Sequence, residues 1–250
     1  MALYTPKKVP LNWYRFDVKF SVELLVAYVD GVEAQVNRSI EEFRAGHQED
    51  AGQEVRNEGY VAVSAHYAGL DDSSWDLASI FESYFPNLQR QSALITLCGF
   101  FEHELLALCS LFQKDRGHKF GLGDLKGAGI ERAITYLERV VGLNIDKSSA
   151  LWAEIRSIQA VRNLIVHDAG KLTYQDGMPR KSERQYVEAS PHLSGDEEIS
   201  IAEGYLRHVL DTFDQFFKNI GDAVERLYGL TTASTRTGFS ATAPKPGRLS

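Results

Sequence analysis

Ala160-Val161-Arg162-Asn163-Leu164-Ile165-Val166-His167-Asp168-Ala169-Gly170 sets an Arg-Asn pair and a His at the closing end of an otherwise apolar stretch. Upstream, Leu151, Ile155, Ile158 and Val161 recur at three- and four-residue intervals and lead into Ile165. That is the period of an amphipathic helix, and it stops near Gly170. His167 falls in the last turn, where the carbonyl-rich helix end favours cationic side chains by roughly 0.3 to 1 kcal/mol. Residues five apart on an α-helix lie about 140° apart around the axis. Arg162 and His167 therefore diverge unless the helix loosens before His167 or a second copy of the chain supplies part of the site.

The segments around this helix carry the same period. Leu94, Cys98, Phe101, Leu105, Leu108 and Phe112 form an apolar seam, widened by Ile95, Leu106 and Leu111, so this helix is expected to be central and buried on several sides. Glu102-His103-Glu104 interrupts it, and carboxylates are rarely buried without a partner. One reading is a solvated edge or an internal partner; the sharper one makes Glu102 and His103 candidates for lining the cleft that holds Arg162. Ile130, Ile134, Leu137 and Val141 give a further helix closed by Gly142. Tyr205, Val209, Phe213, Phe216, Ile220, Val224 and Leu227 mark the last one.

Arg162-Asn163-Leu164-Ile165-Val166-His167 resembles the Arg-x4-6-His signature of the HEPN superfamily of small helical domains, in which a polar residue often follows the Arg. Ser92 to Phe112 and Asp124 to Leu143, with its Gly-Ile-Glu-Arg…Tyr-Leu pattern, look like the same family, so the resemblance spans roughly residues 85 to 228. It implies an all-α fold, a HEPN-like helical bundle. It also implies a metal-independent endoribonuclease acting on single-stranded RNA, with His167 as the acid/base, Arg162 as the phosphate clamp and Asn163 orienting one of them. HEPN nucleases are typically two-fold dimers with paired motifs facing one cleft, so a homodimer is expected. Phage defence and stress response are the candidate settings, with an antitoxin or regulatory protein as a further candidate partner. In toxins of this family a modified Tyr often stands two residues after the His. Here Ala169 holds that place, which removes the most specific support for a toxin assignment. Other members of the family only bind nucleotide, RNA or protein, and a helical scaffold with a structural motif is the third alternative.

Outside the bundle the pattern weakens. Residues 1 to 14, with Pro6 and Pro10, read as an irregular lead-in. From about Phe16 to Arg44, Val29, Val32, Val36, Ile40 and Phe43 form one face of a long amphipathic helix. Gln48 to Glu58 reads as a solvated turn or frayed helix, and Tyr60 to Tyr67 as a strand or a helix fragment. Residues 1–70 are taken as an N-terminal helical extension and 71–229 as the HEPN-like domain. A helix starting at Asp71 to Ser74 should run to Tyr84, where Pro86 forces a break or a fresh first turn. After Gly170, Lys171 to Tyr174, the turn signal Asp176-Gly177-Met178-Pro179 and an extended run near Arg184 to Val187 predict a small β-hairpin insertion (171–194) before the last helix. Lys171, Arg180, Lys181 and Arg184 in this insertion are the candidates for contacting RNA. Residues 230–250 read as a disordered tail.

Composition bounds the function. The 250 residues are 44% hydrophobic and 24% charged, with a net charge of −7. That balance argues against a protein that coats nucleic acid, so any RNA site must be a local cleft and no DNA partner is expected. Cys98 and Cys109 lie in an apolar run and read as buried thiols of a reducing cytosol. No metal-ligand spacing occurs, and no metal or cofactor is expected. No apolar run is judged to reach the length of a membrane span, and the start lacks a signal-peptide core, so a cytoplasmic location is expected.

Overall fold

The seam from Leu94 to Phe112 is the axis of the protein. In the computed structural model, which describes residues 8–46, 48–54 and 61–230, all six seam residues are buried in helix α3 (Phe85–Arg116). Around α3 pack α1 (Lys19–Gly46), α4 (Gly129–Tyr136), α5 (Ala150–Asp168) and α7 (Tyr205–Leu227). The fold is an all-α bundle, and its centre is aromatic. Phe101 of α3 stacks on Phe213 of α7 with ring centroids 4.1 Å apart, and Trp152 of α5 lies 5.6 Å from Phe216.

The N-terminal stretch is helical, and its helix starts earlier than the prolines suggest. A 3-10 turn at Pro10–Asn12 and a π-helical turn at Trp13–Val18 lead directly into α1. Pro10 occupies the first helical turn, where a missing N–H costs nothing. Val22, Val29, Val36 and Phe43 of α1 are buried. A partly buried ion pair between Arg90 and Glu33 at 2.8 Å, with Arg90 Nη1 also donating to the Ile201 carbonyl, ties α1 to α3.

A small antiparallel sheet after α1 departs from the sequence reading. Gln48–Glu54, expected as a turn or frayed helix, is strand β1. It pairs with β2 (Val61–Tyr67), which pairs in turn with β3 (Leu70–Asp71). The polar, non-alternating sequence of β1 gives no strand signal, and its conformation comes from the ladder to β2. Tyr67 seats the sheet between Phe43 of α1 and Phe81.

Pro86 does not break the chain's path. Helix α2 (Leu77–Ser79), capped by the Asp76 carboxylate on the Ser79 N–H, widens into a π-helical turn at Ile80–Tyr84 and continues into α3. The wider turn accommodates a residue that lacks an N–H and crowds the carbonyl four positions back. The resulting 40-residue helix Leu77–Arg116 is long and apolar enough to cross a membrane, which corrects the expectation drawn from uninterrupted apolar runs. Between Arg90 and Lys114 its only acids and bases besides His103 are Glu102 and Glu104. In the fold its seam faces the other helices.

A small antiparallel hairpin does precede α7, but it forms later in the chain than expected: β4 (Leu193–Ser194) lies at the very end of the span 171–194 and β5 (Ser200–Ile201) beyond it. The expected turn at Asp176 to Pro179 is present, with Tyr174 N–H donating to the Met178 carbonyl and Gly177 at φ 81. Arg184 to Val187, expected as extended, instead lies in helix α6 (Lys181–Ala189). Lys, Glu, Arg, Gln and Ala favour a helix there, and Val187 is its one fully buried residue. The tail expected at 230–250 lies outside the described residues from 231 onward.

Candidate functional site

Helix α5 starts where Ser149 accepts the Trp152 N–H at 3.2 Å. Trp152, Ile155, Ile158, Val161 and Leu164 bury its inner face, and this fixes which residues face outward. Arg162 is partly exposed, whereas Asn163, Val166 and His167 are exposed. The helix is regular through Asp168, so it does not loosen before His167. Its end is locked. Ala169 stands at φ 51 and Gly170 at φ 80, and both of their N–H groups turn back to the Leu164 carbonyl. The Lys171 N–H reaches the Asp168 carbonyl at 3.0 Å, and the Asp168 carboxylate accepts Arg180 Nη2 at 2.8 Å. The backbone under His167 is therefore held on both sides, while its ring makes no hydrogen bond or ion pair among the described residues.

Arg162 and Asn163 open onto a cleft of about 460 Å³ between α3, the start of α4 and α5. Glu102 enters it from α3, and Gln159 and Asn163, one turn apart, enter from α5. The Arg162 Nη1 donates to Asn163 Oδ1 at 3.1 Å. Arg156, at the rim, is occupied by Glu131 at 2.5 Å. His103 is exposed and does not line this cleft. It follows Glu102 by about 100° around the helix, and its charge acts instead on Glu104. His167 lies on the Asn163 side of α5, about 6 Å further along the axis, beyond the cleft's lining. One chain thus brings Arg162, Asn163 and Glu102 together and leaves His167 outside.

The Cys98 thiol lies behind the cleft. Burial pushes it up to about 12, with the Arg162 charge lowering it and the Glu102 charge raising it. Cys109 is likewise pushed up to about 12 by burial. Both are therefore protonated, unreactive thiols in the folded protein.

The four basic residues of the insertion divide into two kinds. Arg180 is taken by Asp168 and lies over the Tyr174 ring, 4.2 Å from its centroid. Arg184 donates to the carbonyls of Leu172 and Asp196 at 3.2 and 2.7 Å. Arg180 thus fastens the insertion to the end of α5, and Arg184 fastens it to its own backbone and to the segment that follows it. Lys171 and Lys181 are exposed, and their ammonium groups are paired with no described residue.

Two features escape a reading of the sequence. Gln159 lines the cleft with a buried side-chain nitrogen that has no hydrogen-bond partner among the described residues. Behind α5, Glu154 accepts the Tyr186 hydroxyl at 2.6 Å and contacts His208 Nε2 at 2.7 Å, joining α5, α6 and α7. The Tyr186 and Tyr205 hydroxyls stand 3.4 Å apart, and burial first of all pushes both phenols well above their ordinary range. The spacing of Gln159 and Asn163 is a faint signal for the first feature; nothing in the sequence signals the second. Among the described residues no group of three or more His, Cys, Asp or Glu could hold a metal ion. Compared with protein-family models, curated proteins and solved structures, the chain matches none of them.

Proposed function

We propose that the protein is a metal-independent endoribonuclease of HEPN type that cleaves single-stranded RNA with Arg162, Asn163 and His167, two copies facing one cleft. The observation that carries this reading is the regularity of α5 through Asp168. It keeps Arg162 and His167 about 140° apart on one chain, and a second copy would set its His beside the Arg-lined cleft. Val166, 42% exposed between them, gives the motif face an apolar point of contact for that copy.

The chemistry is a transesterification. A 2′-hydroxyl loses its proton and attacks the adjacent phosphorus, and the 5′-oxygen leaves with a proton. The products are a 2′,3′-cyclic phosphate and a 5′-hydroxyl. His167, with no competing partner among the described residues, moves the protons, and Arg162 neutralises the charge that builds on the phosphorane oxygens. Lys171 and Lys181 supply cations along the strand. Ala169 stands in the left-handed region, which bulky side chains seldom adopt, so control by modification of a Tyr at that position is not part of the proposal.

A second reading, a silent HEPN module that binds nucleotide, RNA or a protein, is favoured by one observation. The Arg162 cleft is complete within one chain while His167 lies outside it. Incubating purified protein with single-stranded RNA in excess chelator separates the two. Fragments ending in 2′,3′-cyclic phosphate, lost with His167→Ala, support the nuclease; RNA bound but intact supports the module.

A further inference from the structure

We infer that the cleft beside Arg162 is a guanine-selective base pocket, in which Glu102 and Gln159 read the Watson–Crick edge of the nucleotide whose phosphate Arg162 clamps. This rests on the nuclease reading for the phosphate, and on the cleft itself for the base.

The cleft has the size of a small-molecule site and a mixed polar and apolar lining. Its volume, about 460 Å³, falls within the range of roughly 300–1,000 Å³ usual for such sites. Ile130, Trp152, Ile155 and Ala160 supply apolar wall for the faces of a base. Two polar groups in it lack the partners that side chains in such positions normally have. Glu102 makes no hydrogen bond or ion pair among the described residues, although it is partly buried in an apolar helix. Its carboxylate lies against Gly129, where a Cβ would stand 3.4 Å from Oε1. The Gln159 side-chain nitrogen is buried with no hydrogen-bond partner among the described residues. A buried donor left unsatisfied is destabilising, so a ligand acceptor that meets it is favoured.

The order of donors and acceptors selects the base. An ionised carboxylate only accepts, and it can accept two parallel N–H bonds. An amide nitrogen, such as that of Gln159 in the same cleft, only donates. Guanine alone among the four bases presents two adjacent donors, N1–H and N2–H, followed by an acceptor, O6. Adenine would set its N1 lone pair against the carboxylate. Cytosine would set N3 there, and uracil flanks its single N–H with two carbonyls. A site built to pair polar groups rejects the ligand that leaves them unpaired.

Titration calorimetry of the full-length protein with 3′-GMP, 3′-AMP, 3′-CMP and 3′-UMP tests the pocket without any bond being cleaved. The guanine nucleotide is expected to bind at least about tenfold more tightly than the other three. Glu102→Gln replaces two acceptors by one acceptor and one donor, so it should erase that preference and shift it toward adenine. Gln159→Leu should weaken 3′-GMP several-fold with an unchanged or higher melting temperature, because the lost amide bonds nothing in the free protein. Equal affinity for the four nucleotides, or a guanine preference that survives Glu102→Gln, overturns the inference. Cleavage of mixed-sequence RNA keeps the two proposals apart. Selective 3′-GMP binding without cleavage supports the pocket and removes the nuclease, whereas cleavage with no bias toward guanosine removes the pocket and leaves the nuclease.

Discussion

Arg162 donates to the side chain of its own neighbour, Asn163, at 3.1 Å. Adjacent helical residues point about 100° apart, so this bond draws the guanidinium around α5 toward the face that Asn163 shares with His167. The Asn163 amide thus sets the direction of the cleft's free cation.

Asn163→Ala should therefore lower RNA cleavage through the orientation of Arg162. A loss of about tenfold or more is expected, the size of one hydrogen bond from a charged donor, with stability changed by less than about 0.5 kcal/mol because the residue is exposed. Asn163→Asp should retain the orientation but offset the guanidinium charge, so it too loses activity. Wild-type turnover in both variants would contradict this role.

His167→Ala should reduce cleavage by about a hundredfold or more, as the loss of a general acid/base does, with little change in melting temperature. The ring has no described partner to lose. A large drop in stability with activity intact would assign His167 to the helix end instead.

Arg180 separates a structural from an RNA-contacting role within the insertion. Its pair with Asp168 is partly buried, with side-chain exposures of 15% and 32%, and it also covers Tyr174. Arg180→Ala should cost about 1–3 kcal/mol in urea unfolding. Lys171→Ala and Lys181→Ala should leave stability unchanged and each weaken RNA binding in a salt-dependent way. The opposite assignment of effects would return Arg180 to the RNA interface.

The Tyr186 and Tyr205 phenols give a pH signature. Burial raises both in the folded state, so the unfolded chain gives up these protons first, near pH 10. Their contribution to stability is complete below that pH and is lost as pH rises through and above it. Tyr186→Phe should flatten the alkaline fall in urea-unfolding free energy. An unchanged alkaline slope would show that Tyr186 is not held protonated by the fold.

The helices were legible in the sequence because their buried faces repeat. The seam of α3, the inner face of α5 and the face of α7 from Tyr205 to Val224 each follow the helical period over many residues. Helix α6 was not, because nine residues with one buried position, Val187, carry too little period to outweigh a neighbouring turn. Strand β1 is polar and takes its conformation from β2, a cause that lies elsewhere in the chain. In the site, a carboxylate at Glu102 inside an apolar helix marked a cleft, and Arg162 and Asn163 were visible as a pair. The buried amide of Gln159 was not visible, since lacking a partner is a property of the packed state. His103, one residue from Glu102, faces elsewhere because one helical step turns a side chain by about 100°.

Whether one site is built from two chains is tested most directly by a heterodimer. Light scattering should first give twice the 28.0 kDa chain mass. Arg162→Ala and His167→Ala chains, co-expressed with different tags and purified through both, then form heterodimers in which one of two composite sites is intact. With Arg from one chain and His from the other, cleavage of single-stranded RNA in chelator should recover to about half the wild-type rate. Activity at the background of either variant alone, or a monomer that cleaves RNA unaided, would contradict a site shared between copies.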